Sequence, residues 1–189
     1  INIKCHDLRH QIRELKNNQS SLSKEDLTNI ENEIRIYDTK VKSGNENVDF
    51  ILQEKSLFCN KNGIVLNCII DGKLLTFLKD SELFSLLGNI LDNAIDSCLK
   101  IENQNERNII IKVHKALGGI LIYEQNPYVG EIRFQDGLPL SDKENKNIHG
   151  YGMKSIKMIA ESYNGTLTIK SENHSYSITI FFPLPEEKN

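Results

Sequence analysis

Three short stretches of this chain place ligand-forming or reactive side chains at regular intervals. In Asn89-Ile90-Leu91-Asp92-Asn93-Ala94-Ile95-Asp96-Ser97, the apolar residues Leu86, Leu87, Ile90, Leu91, Ala94, Ile95 and Cys98 define one wide helix face. Asn89, Asn93, Asp96 and Ser97 fall at i, i+4, i+7 and i+8 and form the opposite stripe. Asn is a mediocre helix former, so two of them inside a strong apolar helix indicate that carboxamides are wanted at those points. A hard cation is one such want. Mg²⁺ takes oxygen ligands, keeps several waters and shares phosphate oxygens, so a neutral carboxamide oxygen beside a polyphosphate suits it. A solvated helix face is the plain alternative.

The second stretch is His149-Gly150-Tyr151-Gly152-Met153-Lys154-Ser155-Ile156, which follows a polar run from Ser141 to Asn147 and opens a helix carrying Ile156, Met158, Ile159 and Ala160. Glycines at a helix start permit close backbone approach, and the free N–H groups there attract anions, phosphate above all. A flexible loop with a glycine cap is the alternative. The third stretch, His6-Asp7-Leu8-Arg9-His10-Gln11, sets His6 one step off the apolar residue Cys5 on an amphipathic helix. There an imidazole is accessible on a rigid element, and Asp7 could orient the ring and take its proton, leaving a nitrogen lone pair to attack phosphorus. Ordinary surface histidines have the same spacing.

These stretches need elements to hold them. From Ile1 to about Val41, apolar residues step by four and three (Ile1, Cys5, Leu8, Ile12, Leu15, then Leu27, Ile30, Ile34, Tyr37, Val41), with the polar turn Asn17 to Ser23 between the runs. The pattern predicts a helical hairpin whose narrow seams are covered by pairing two copies into a four-helix bundle, hence a homodimer. Ser43-Gly44-Asn45 breaks the pattern and divides the chain into residues 1–45 and 46–189. Beyond the break the pattern predicts a helix from Val48 to about Lys61, strand Ile64–Ile70, helix Ser81–Ile101 and strand Asn108–His114. A Gly118-Gly119 turn, strand Ile120–Glu124, an irregular segment, helix Gly152–Tyr163 and strands Thr166–Lys170 and Ser175–Phe182 follow. The fold class is α+β.

Composition bounds the rest. The 189 residues include 23 Lys+Arg against 26 Asp+Glu, a net charge of −3, so no basic excess exists to grip nucleic acid through its phosphates. No apolar run approaches the ~20 residues that cross a bilayer. Cys5, Cys59, Cys68 and Cys98 form no C-x-x-C pair, which suits a reducing compartment. A chain that starts Ile1-Asn2-Ile3 reads as a piece of a longer protein.

In their order, the three stretches resemble the H-box, N-box and Gly-rich box of bacterial sensor histidine kinases in the GHKL ATPase superfamily, most of all the accessory-gene-regulator type that senses peptides. The resemblance implies a dimerisation and phosphoacceptor hairpin at 1–45 and a Bergerat-type α/β sandwich that binds ATP and Mg²⁺ at 46–189. It implies that Asn93 holds Mg²⁺, that Asn89 assists at the phosphates, and that His149, Gly150 and Gly152 frame a lid over ATP, with Lys143, Lys146 or Lys154 steadying the phosphates. His6 would accept the γ-phosphoryl group with Asp7 as base, then pass it to an aspartate of a response regulator, for this group a LytTR-type transcription factor. A membrane sensor domain would precede this cytoplasmic portion. One departure stands out. The family's Asp-x-Gly-x-Gly, whose Asp meets the adenine amino group, is replaced by Glu124-Gln125-Asn126-Pro127-Tyr128, where Asn126 offers a neutral acceptor and a weaker bond. Gln11 matches a His-Asp-x-x-x-Gln pattern tied elsewhere to dephosphorylation. The competing reading is a non-catalytic dimeric module that binds nucleotide without transferring phosphate; a serine kinase of the anti-sigma-factor type is a third, and has no need of the His6 hairpin.

Overall fold

A computed structural model describes residues 42–135, 137–139 and 151–184, and the expectations for the hairpin therefore lie outside the described residues. The described residues belong to one compact unit beginning at Lys42. In chain order its elements are helix α1 (Glu46–Lys61), strand β1 (Val65–Ile70), a 3₁₀ turn (Gly72–Leu75) and helix α2 (Asp80–Leu99). A second 3₁₀ turn (Gln104–Glu106), strands β2 (Asn108–Ala116), β3 (Gly119–Pro127), β4 (Phe134–Gln135) and β5 (Leu138–Pro139), helix α3 (Tyr151–Ser162) and strands β6 (Thr166–Glu172) and β7 (Ser175–Pro183) complete it. The class is α+β, as the hydrophobic periods predict.

The main sheet runs β1-β2-β3-β7-β6, with β1 and β2 parallel and every other neighbouring pair antiparallel. Strict alternation along β2, β3 and β7 sends Ile109, Ile111, Val113, Ile120, Ile122, Ile178, Ile180 and Phe182 to one buried face. Onto that face α2 lays Leu83, Leu86, Leu87, Ile90, Leu91, Ala94, Ile95 and Cys98, all buried, and α3 adds Met153, Ile156, Ile159 and Ala160. α1 packs on α2 and β1, opened by Asn45, whose side chain accepts from the backbone N–H groups of Asn47 and Val48.

Two polar clamps tie the layers together. Arg107 donates through Nε and Nη2 to the Ile101 carbonyl (2.8 and 2.7 Å) and through Nη1 to the Asn62 carbonyl (2.9 Å), joining the turns that end α1 and α2. Glu82 in the first turn of α2 accepts from the Tyr163 hydroxyl at 2.5 Å and from the Lys79 backbone N–H at 3.3 Å. The end of α3 is thereby fastened to the start of α2.

The strand limits differ from expectation in an instructive way. The β2–β3 turn is Leu117-Gly118, with Gly118 at φ 76° and Gly119 already paired to Ala116 as the first residue of β3. A Cβ at Gly119 would come 2.3 Å from the Phe182 carbonyl oxygen, so this glycine serves close strand approach rather than the turn. β3 does not end at Glu124: its pairing with β7 continues through Asn126↔Tyr176 and Pro127↔Ser175. Asn173 and His174, both at positive φ, form the two-residue turn that lets β6 and β7 pair to their ends. The segment expected to be irregular contains the small β4–β5 hairpin.

Because Leu91 is fully buried on the apolar face of α2, Leu91→Ala removes packing that sets the rotation of that helix. The expected loss is about 2–5 kcal/mol, read from the urea midpoint at unchanged slope. A loss below about 1 kcal/mol would mean that α2 is not the central packing element.

Candidate functional site

The chemistry-bearing side of α2 is a ladder of small polar residues, Ser85, Asn89, Asn93 and Ser97, each half-buried and spaced by one helical turn. Its apolar face is committed to the sheet, so this ladder is turned toward the start of α3 and the end of β3. Asn89 Nδ2 donates to Ser85 Oγ (3.2 Å), and Ser85 Oγ lies 2.9 Å from Ser155 Oγ of α3. Asn93 Nδ2 donates to the Met153 sulfur at 3.3 Å. Ser97 Oγ donates to the Pro127 carbonyl at 3.0 Å, and Asn126 Nδ2 reaches the same carbonyl at 2.8 Å. Three elements that are far apart in sequence meet along one stripe.

Gly152 is the close-approach residue in this arrangement. A Cβ there would lie 3.1 Å from Asn89 Oδ1 and 3.5 Å from its Cγ, so any larger residue would have to push the carboxamide aside. Nδ2 of both Asn89 and Asn93 is directed to a protein partner, which leaves each carboxamide its Oδ1 acceptor and a second N–H. Asn93 offers a carboxamide oxygen, a donor of the kind Mg²⁺ takes, and the described residues hold no group of three or more His, Cys, Asp or Glu.

Of the residues singled out from sequence, Asn89, Asn93, Asn126 and Gly152 are brought together, with Ser97 beside them. His6, Asp7, Lys143, His149 and Gly150 lie outside the described residues. Lys154 is exposed on α3, and Asp92, next to Asn93, turns away to pair with Lys55 of α1 at 2.9 Å. Ser85, Met153 and Ser155 are partners that the sequence reading missed. Stepping one turn back along the ladder from Asn89 would have found Ser85.

Glu124 was also missed, although a charged residue after Ile120 and Ile122 on the inward face of a strand is a visible anomaly. It is 0 % exposed, and neither carboxyl oxygen has a hydrogen-bond partner among the described residues. Burial pushes its carboxyl from the ordinary 4.5 up to about 9, so it is a neutral acid at pH 7. Its neighbours respond in kind. Burial first, and the proximity of Glu124 second, push the Cys98 thiol up to about 12 and the Tyr176 phenol above its usual range.

The family described as GHKL domain matches residues 78–183, from the residue before Lys79 through β7. No curated protein matches the chain. Among solved structures, Acinetobacter baumannii histidine kinase AdeS is similar at TM-score 0.54 and 12% identity, over 96% of this chain and 95% of that one. The nucleotide-free catalytic domain of histidine kinase ThkA is similar at TM-score 0.51 and 13% identity, over 73% of this chain and 91% of that one. At such identities the likeness is one of fold.

The buried acid generates a test of its own. Folded protein holds a proton on Glu124 that the unfolded chain releases above about pH 4.5, so stability falls as pH rises from about 5 toward 9. The slope is at most about 1.4 kcal/mol per pH unit for one proton. Glu124→Met should therefore melt higher than wild type, by a margin that widens from pH 5 to pH 9. Parallel melting curves across that range would show that Glu124 does not titrate abnormally.

Proposed function

We propose, from the premise that this chain belongs to the GHKL family, that it is the catalytic portion of a two-component sensor histidine kinase. The observation that carries this is the meeting of the carboxamide ladder of α2 with the glycine-bearing start of α3 and the end of β3. That arrangement sets the carboxamides of Asn89 and Asn93 against Gly152 and Met153 in the first turn of α3, a combination suited to a nucleotide polyphosphate and its cation. In this reading residues 46–189 bind ATP and residues 1–45 supply the phosphoacceptor and the dimer contact.

Phosphoryl transfer asks a protein chiefly for positioning and charge stabilisation. Asn93 would hold a Mg²⁺, which would supply neutralisation of phosphate charge, and Asn89 would position the phosphates. Asn126 sits at the base, while Lys143, His149, Gly150 and Gly152 close over the nucleotide. An imidazole nitrogen of His6 attacks the γ-phosphorus, the bond from that phosphorus to the β–γ bridging oxygen breaks, ADP leaves, and Asp7 takes the ring proton. The phosphoryl group then passes to an aspartate of a response regulator. The accessory-gene-regulator type, a LytTR-type regulator and an upstream membrane sensor are finer parts of the same proposal, resting on the sequence resemblance. Among the described residues no helix is long and apolar enough to cross a membrane.

One observation favours a second reading, a dimeric module that binds nucleotide without transfer. Asn126 stands where the resembled kinases carry an Asp, and its Nδ2 is engaged by the neighbouring Pro127 carbonyl. A neutral acceptor holds the base more weakly than a carboxylate.

Incubation with Mg²⁺ and γ-labelled ATP separates the two. Wild type should acquire acid-labile, base-stable label; His6→Ala should abolish it with nucleotide binding intact, and Asn93→Ala should reduce it at least 100-fold while circular dichroism is unchanged. Label that persists in His6→Ala would overturn the phosphoacceptor assignment. Nucleotide binding by wild type without any label would favour the second reading.

A further inference from the structure

Ser85 and Ser155 join α2 to α3 through their hydroxyls. Their Oγ atoms lie 2.9 Å apart, and Ser85 Oγ also accepts from Asn89 Nδ2 at 3.2 Å. All three residues are half-buried. Serine and asparagine are poorer helix formers than alanine, so α2 gains nothing as a helix from having them at positions 85 and 89. A serine inside a helix commonly returns its hydroxyl to the carbonyl one turn back, which serves the helix alone. Ser85 instead stands between a ladder residue of its own helix and a residue of the next one.

A hydroxyl has one proton to donate and two lone pairs, whereas an amide nitrogen only donates. Asn89 Nδ2 therefore occupies one lone pair of Ser85, and the bond to Ser155 runs in one of two directions. Either the Ser85 proton goes to Ser155 Oγ, or the Ser155 proton fills the second lone pair of Ser85. Both leave the Ser85 oxygen an acceptor toward Asn89. Without the Ser155 hydroxyl, the Ser85 proton is released to turn to Asn89, and a donor there favours the reversed carboxamide, with Oδ1 against Ser85 and the amide N–H groups toward α3. As the structure stands, Oδ1 faces α3: a Cβ at Gly152 would lie 3.1 Å from it. Reversal would exchange an acceptor, fit for a cation or its water, for donors fit for a phosphate oxygen. Resting on the ATP reading above, we propose that Ser155, acting through Ser85, is a positioning residue that fixes which end of the Asn89 carboxamide faces the nucleotide.

Two readouts test this on the whole chain. Nitrogen–proton correlation spectra without nucleotide follow the Asn89 side-chain amide pair, identified by its loss in Asn89→Ala. Calorimetric titration with Mg²⁺ and the non-hydrolysable β,γ-imido analogue of ATP compares wild type, Ser155→Ala, Asn89→Ala and the double variant, since the effects of two substitutions fail to add where the groups interact. Ser155→Thr keeps a hydroxyl at the same place, and melting curves on the same samples confirm folding.

Ser155→Ala should shift the Asn89 amide pair and weaken nucleotide binding about tenfold, the size of one hydrogen bond. In the Asn89→Ala background the same substitution should weaken binding less than about twofold. Ser155→Thr should match wild type in both readouts. An Asn89 amide pair unmoved in Ser155→Ala would overturn the proposal, as would equal weakening with and without Asn89, the mark of a general packing role. Tight binding by both wild type and Ser155→Ala would overturn it while leaving the ATP reading in place. Wild type that binds no nucleotide would overturn both.

Discussion

Everything at the candidate site depends on the burial of one helix face. The eight buried residues of α2 are pressed against the inward isoleucines of β2, β3 and β7, and a helix so held has no freedom to rotate. Since side chains repeat every 3.6 residues, fixing the apolar stripe fixes the polar one. Asn89 and Asn93 are therefore positioned by Leu87, Ile90, Leu91 and Ala94 as much as by their own hydrogen bonds. The two clamps outside the core, at Arg107 and at Glu82, set where the helix begins and ends rather than how it is turned.

Burial also determines the electrostatics. On the described residues the buried polar side chains are few, and Ser43 and Asn126 have hydrogen-bond partners whereas Glu124 does not. The layer beneath α2 is thus apolar enough to keep a carboxyl group neutral, and a contact formed at its margin is strengthened by the same low polarity. Such surroundings suit hydrogen bonding to uncharged parts of a ligand, while the glycine-bearing start of α3 suits the charged parts.

Much of this was legible in the amino-acid sequence, and for identifiable reasons. The α2 stripe is a pure consequence of period, so Asn89, Asn93 and Ser97 could be placed on one side before any coordinates. The α+β class followed from the change of period after Ser43-Gly44-Asn45. Long-range pairing was not legible. Asn126-Pro127 carries the local marks of a chain break, yet β7 extends β3 through both residues, and Gly119 looks like a turn residue until the Phe182 carbonyl is seen above it. Ser85 and Ser155 meet across 70 positions of sequence, which no local pattern encodes. Glu124 escaped notice because its oddity lies in what surrounds it: the charge is visible in the sequence, the lack of a partner is not.

The Asn93–Met153 contact is a weak tether between α2 and α3. A thioether is a weak, polarisable acceptor, so the carboxamide is oriented without being strongly bonded. Methionine at this place therefore orients the asparagine through a contact that the packing of a buried thioether maintains more than the hydrogen bond does.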